Sequence, residues 1–169
     1  MIIYGGIDEY GDLLSDMYSI NLDTLEFISL KSKNVNPALA YSPGVGVYYS
    51  ARDFSKMKPY FLPKINWTKA ENYIQQEGIY FFGGKTREMG EKGVGNKLFC
   101  LTFGQKTLEM REVTTIGIPP KSRFHHSFNY MSSHNFIVLY GGRNDHEYSI
   151  SGKAVLSDLM CLYMGNLLK

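Results

Sequence analysis

The side chains whose types could do chemistry are four histidines, His125, His126, His134 and His146, and the neighbouring Ser127. A metal site needs imidazoles that converge on one ion, and nucleophilic catalysis needs a hydroxyl within hydrogen-bond reach of a base. His125 and His126 are adjacent in a predicted strand, where successive side chains point to opposite faces, so that strand cannot bring both to one ion. Ser127 is turned away from His126 by the same rule. His134 and His146 fall in predicted loops, and no serine stands in a glycine-flanked elbow. No catalytic set, metal or cofactor is therefore expected.

Binding chemistry is better represented. Arg87 and Arg143 follow two similar glycine motifs and are read as corresponding residues. Together they are expected to grip a carboxylate or phosphate on a protein partner, because a guanidinium offers paired donors in a planar fork. Glu88, Lys92, Asp145 and His146 stand in the same loops. A second surface is expected in residues 51–77, where "KMKPYFLPKINW" sets Tyr60, Phe61 and Trp67 among lysines. Trp67 either anchors this segment to a sheet edge or faces a neighbouring subunit.

Lys plus Arg number 18 against 16 Asp plus Glu, and no basic run concentrates the excess. Nucleic-acid binding has no electrostatic footprint here. No apolar stretch approaches the roughly 20 residues that span a bilayer, and no signal peptide is recognisable. A cytoplasmic chain with protein partners and no membrane insertion is expected.

The elements that must position these residues are short strands, since 13 Tyr, 10 Phe and 17 Gly favour strands joined by glycine turns. Three segments align on paired glycines: "IIYGGI" with Gly5-Gly6, "IYFFGGK" with Gly83-Gly84, and "IVLYGGR" with Gly141-Gly142. After each come a polar loop and an apolar strand, "SDMYSINL", "NKLFCLTF" and "SDLMCLYM"; "DTLEF" and "KTLEM" continue the first two. Alternation assigns Tyr18, Ile20 and Leu22, with Phe99, Leu101, Phe103 and Met160, Leu162, Met164, to a single core-seeking face. Cys100 and Cys161 fall on the other face at equivalent places, so a disulfide is not expected and a reducing compartment fits.

Upstream of the third glycine pair, "GIPPKSRFHHSFNYMSSHNFIVLYGG" parses as a turn, a strand over 124–130, a reversal at 132–135 and a second strand. "NPALAYSPGVGVYYSA" supplies the same turn and strand upstream of the second pair, with Pro37 and Tyr41 matched to Pro120 and Phe124. There the reversal is replaced by the insertion at 51–77, whose Trp67, Ala70 and Ile74 spacing predicts a short amphipathic helix ending at Gly78.

Each unit thus reads strand, strand, Gly-Gly, loop, strand, turn, strand. With Asp16, Lys97 and Asp158 before the third strand, and Phe27 and Met110 three positions after Thr24 and Thr107, the chain resembles kelch repeats. The family carries tryptophan where Phe27 and Met110 stand. "PPKSRFHHS" resembles the family's linker into the innermost strand, with Arg123 and His126 at recurrent structural positions.

The resemblance implies an all-β, kelch-type β-propeller in which the glycine pairs are architectural: tight turns and close approaches need a residue without Cβ. A phosphate-cradling glycine loop is not expected, because no helix is predicted to follow and the wider Gly-x-Gly spacing is absent. Residues 1–30 would supply the outer strands of a first blade, 36–113 a second blade with its insertion, and 114–169 a third. Propellers typically have about 4 to 8 blades, so this one is incomplete at about three. Either the chain is a stretch of a longer one, or another chain completes the ring.

The function implied is a non-catalytic interaction or scaffold module, with partners such as cytoskeletal filaments, ubiquitin-ligase scaffolds or ciliary complexes. The alternative is a regulatory or substrate-presenting domain of an enzyme such as a phosphatase or ubiquitin ligase.

Overall fold

The computed structural model describes residues 1–47, 77–87, 93–103 and 108–164. The helix expected within 51–77, together with Tyr60, Phe61, Trp67, Glu88 and Lys92, lies outside the described residues.

What is described is all-β apart from one seven-residue helix, and it forms three antiparallel sheets. The first contains β1 (Ile2–Ile7), β2 (Leu13–Ile20) and β3 (Phe27–Ser29), in that order. The second contains β4 (Gly44–Val47), β5 (Gly78–Phe82), β6 (Leu98–Phe103) and β7 (Leu108–Val113). The third contains β8 (Ser127–Met131), β9 (Phe136–Tyr140) and β10 (Leu159–Tyr163). Among the described residues no helix is long and apolar enough to cross a membrane.

The second sheet lies between the other two, and this changes the reading of its faces. Phe81, Leu101 and Met110 pack with Met17, Ile2 and Tyr4 of the first sheet. On the opposite face Tyr80, Phe82, Leu98 and Cys100 pack with Phe128, Ile137 and Leu139 of the third. Leu101 and Cys100 are consecutive residues of β6, and both are completely buried. The expectation of one core-seeking face per sheet therefore gives way to two cores, because a sheet covered on both sides buries both of its side-chain sets.

Two local expectations are corrected. The strand predicted over 124–130 begins only at Ser127, and His125 before it takes φ +56°. The loop holding His146 contains the helix α1 (Asp145–Ser151). Its signals were present in the sequence: the Asn144 side chain accepts from the His146 N–H at the start, and Gly152 ends it at φ +69°.

The first two glycine pairs lie where one sheet meets the next. The Gly6 N–H donates to Leu39 O at 2.9 Å, and the Gly84 N–H donates to Arg123 O at 2.8 Å. A Cβ on Gly5 would stand 2.3 Å from Leu39 O, and one on Gly83 2.4 Å from Arg123 O. Those carbonyls belong to the segments leading into β4 and β8. At φ +61° and +65°, moreover, any residue with a Cβ is strained.

Substitution at Gly83 should therefore combine two costs that a lone turn glycine separates. Gly11 has φ +89° with nothing near its missing Cβ, so Gly11→Ala is expected to cost about 1 kcal/mol, from backbone strain alone. Gly83→Ala, which also clashes with backbone, is expected to cost more than about 3 kcal/mol. Urea denaturation followed by circular dichroism checks both values, and equal costs would refute the close-approach account.

A candidate partner-binding site at the sheet junction

The register of the repeat follows from the hydrogen bonds. Leu39 and Arg123 play one role, so Ala40 matches Phe124, Tyr41 matches His125 and Ser42 matches His126. Ala40 bridges Lys85 as Phe124 bridges Arg143, and a Cβ on Gly84 or Gly142 would meet Ser42 or His126 in the same way. The matching of Tyr41 to Phe124 is thus off by one residue; it aligned aromatic with aromatic, whereas the backbone pairs aromatic with alanine. The counterpart of Arg143 is Lys85, not Arg87.

Arg87 is committed elsewhere. Its Nε and Nη2 donate to Leu13 O at 3.3 and 2.9 Å, tying the second sheet's loop to β2 of the first. The expected pairing of Arg87 with Arg143 around one anion is therefore not formed.

Lys85 and Arg143 instead share an aromatic cluster. Lys85 Nζ lies 4.9 Å from the centroid of Phe124 and 5.9 Å from that of Tyr41, while Arg143 Cζ lies 5.7 Å from Phe124. The His125 ring is 4.3 Å from Tyr41 and 5.2 Å from Phe124, and the His125 N–H donates to Tyr41 O at 3.1 Å. Phe124 is buried, whereas Tyr41 is 46% exposed. Both Tyr41 and His125 have φ +56°, a conformation costing roughly 1–2 kcal/mol in a residue with a Cβ, and one that concentrates at functional positions.

Arg143 also pairs with Asp145, its Nε 2.8 Å from the carboxylate and Nη2 on the same oxygen. This cluster suits recognition: an aromatic shelf to pack against, a lysine, and an arginine whose surface carboxylate partner can be exchanged for one on another protein. His146, at the first turn of α1, is set apart by its place on the helix. Among the described residues no group of three or more His, Cys, Asp or Glu could hold a metal ion.

Arg123 and His126 are internal. Arg123 is fully buried; its Nη1 donates to Gly141 O and Asp158 Oδ1 at 2.9 and 2.8 Å, and its Nη2 to Asp158 Oδ2 at 2.7 Å. These bonds hold the Asp158 carboxyl below the usual carboxylate range. His126 sits edge-on to Phe82 and Phe128, and neither ring nitrogen has a hydrogen-bond partner among the described residues. Burial first, and then the charge of Arg123, lower its pKa from 6.5 to about 4.

No protein-family model matches this chain, and no curated protein matches it. Among solved structures it is similar to a chain from a cryo-EM structure of RAG in complex with one melted RSS and one unmelted RSS. The TM-score is 0.51 at 16% sequence identity, over 92% of this chain and 46% of that one. At that identity the likeness concerns fold alone, and this chain spans less than half of the other's length.

Because His126 is neutral when folded and protonates more readily when unfolded, stability should be fully present above pH 6.5 and fall as pH drops toward about 4. The full loss is about 3 kcal/mol, and His126→Phe should remove that limb from a pH series of urea midpoints. A second cycle concerns Arg123. Asp158→Asn leaves a buried guanidinium without its counter-charge and should cost about 3 kcal/mol. Adding Arg123→Leu should restore part of that stability, because the second sheet holds Leu39 and Lys97 at the same two places. Strict additivity in denaturation would refute the coupling.

Proposed function

We propose that this chain forms part of a kelch-type β-propeller that serves as a non-catalytic protein-interaction module within a larger assembly. The observation that carries the reading is that one repeat position is buried or exposed according to whether a neighbouring sheet covers it. Met110, facing the first sheet, is 3% exposed, whereas Phe27, at the same place in the first sheet, is 61% exposed. Each sheet is built to be covered, and the first presents an uncovered face among the described residues.

Fan-like divergence agrees with this. The inner strands β4 and β8 approach each other, while the outer strands spread around a cavity of about 370 Å³ lined by Leu98, Val113, Ile116, Ile118, Met160 and Leu162. Wedge-shaped packing about an inner axis is what a propeller requires. Recognition in such an architecture falls to loops held by a rigid scaffold, and the Tyr41–Lys85–His125–Arg143 cluster is the surface proposed for it. Its cations favour an acidic protein surface.

A low-resolution density map of the chain purified with its native partners is expected to show further sheets against the outer faces of the first and third, disposed about one axis. Bare outer faces would overturn the propeller reading. Lys85→Glu with Arg143→Glu should leave the circular dichroism spectrum unchanged and reduce partner recovery about tenfold or more; undiminished recovery would remove the cluster from the interface.

A further inference from the structure

The three glycine pairs are alike in backbone geometry but not in what they hold. In the first two, a single residue of the following unit is gripped at both of its main-chain groups. Leu39 gives its carbonyl to the Gly6 N–H and its N–H to Leu14 O, at 2.9 and 3.2 Å. Arg123 gives its carbonyl to the Gly84 N–H and its N–H to Gly95 O, at 2.8 and 3.1 Å.

At the third pair the corresponding groups are the Gly142 N–H and Leu156 O. The correspondence is fixed by the loop bond, Leu156 N–H to Gly142 O at 2.9 Å, which repeats Gly95 N–H to Gly84 O at 2.8 Å. Among the described residues nothing occupies this third socket. A Cβ on Gly141 would meet only Leu156 O, at 3.5 Å, where its counterparts run into a partner carbonyl at 2.3 and 2.4 Å.

The sheet face beside the socket is open in the same sense. Cys100 is fully buried under the third sheet, whereas Cys161, at the same repeat position, is exposed. Phe82 is 4% exposed and its counterpart Tyr140 54%; Leu98 is 5% exposed and its counterpart Leu159 64%.

We infer that the Gly141–Gly142 end is a docking site for one more sheet of this repeat type, whose leading segment places one residue's N–H on Leu156 O and its C=O on the Gly142 N–H. This rests on the propeller reading and adds the occupant of its open end. A second copy of residues 1–169 is a poor occupant: its Leu39 and Arg123 already fill its own sockets, and its first sheet holds no described segment in that role. The occupant is therefore a different stretch of polypeptide, extended at the contact and backed by an apolar sheet face.

The test is residue-resolved amide exchange on the whole chain, with a synthetic peptide of residues 119–131 as the probe, since that sequence fills the second socket. Gly6 and Gly84 amides are expected to be protected, and their rapid exchange would sink the propeller reading itself. With those two protected, Gly142 should exchange more than about tenfold faster than Gly84 and slow several-fold at millimolar peptide. Gly141→Ala fills the carbonyl's place and should abolish that slowing while Gly6 and Gly84 stay protected; Gly141→Asn, better tolerated at positive φ, repeats the test should alanine unfold the chain. Protection of Gly142 without peptide, protection that grows with the chain's own concentration, no response to peptide, or an equal response in the variants each overturns the inference.

Discussion

Everything in this molecule depends on how closely one sheet's backbone can approach the next. At Gly5 and Gly83 a carbonyl from the following segment stands where a side chain would begin, and the next residue's N–H takes that carbonyl as its acceptor. Neither half works alone, since a Cβ would push the carbonyl away and leave a main-chain donor unpaired, at a cost of about 1–3 kcal/mol. The apolar strands β5 and β9 therefore end at two residues with no side chain, while β1 runs through its glycine pair with a shift of register between Tyr4 and Gly6. The apolar part supplies burial between sheets, and the glycines set the distance at which that burial occurs.

A second constraint is laid over the first. The segment entering each inner strand is gripped by the preceding sheet, so it must also be fastened to its own. In the third sheet Arg123 does this through Asp158 and Gly141 O. In the second sheet Leu39 takes the arginine's place, and the aspartate has become Lys97, whose ammonium turns outward to Glu112 at 2.9 Å. The two positions differ together, so that no buried guanidinium is left without a counter-charge. Asp16, the same position in the first sheet, is an exposed carboxylate; the segment that would offer it an arginine is not among those described.

Sheet type and repeat were legible because they rest on local chemistry. Glycine pairs, two-residue alternation and the recurring third strand are properties of short stretches. What escaped depended on relations between stretches. That Cys100 would be as buried as Leu101 follows from a third layer, which alternation within β6 cannot report. The one-residue slip at Tyr41 arose because the aromatic residue is the conspicuous one, while the alignment is fixed by main-chain bonds to which Ala40 and Phe124 contribute equally. Helix α1 was different: its asparagine cap, acidic first turn and terminal glycine were all visible, and the polar composition of the segment outweighed them.

The cations show most plainly why residue type alone does not locate a site. Arg87, Arg123, Lys85 and Arg143 are all basic and all lie near a glycine pair, yet they divide by what their side chains contact. Arg87 and Arg123 donate to carbonyl oxygens, Leu13 O and Gly141 O, and so act as fasteners, Arg87 from an exposed position and Arg123 from a fully buried one. Lys85 and Arg143 occupy positions whose main-chain groups already pair with Ala40 and Phe124. Their side chains are released from that duty and lie against the Phe124 ring. The same stitching that ties one pair of cations to carbonyl oxygens leaves the other pair against an aromatic ring, and it places beside them the two left-handed residues, Tyr41 and His125, whose strain the rigid junction sustains.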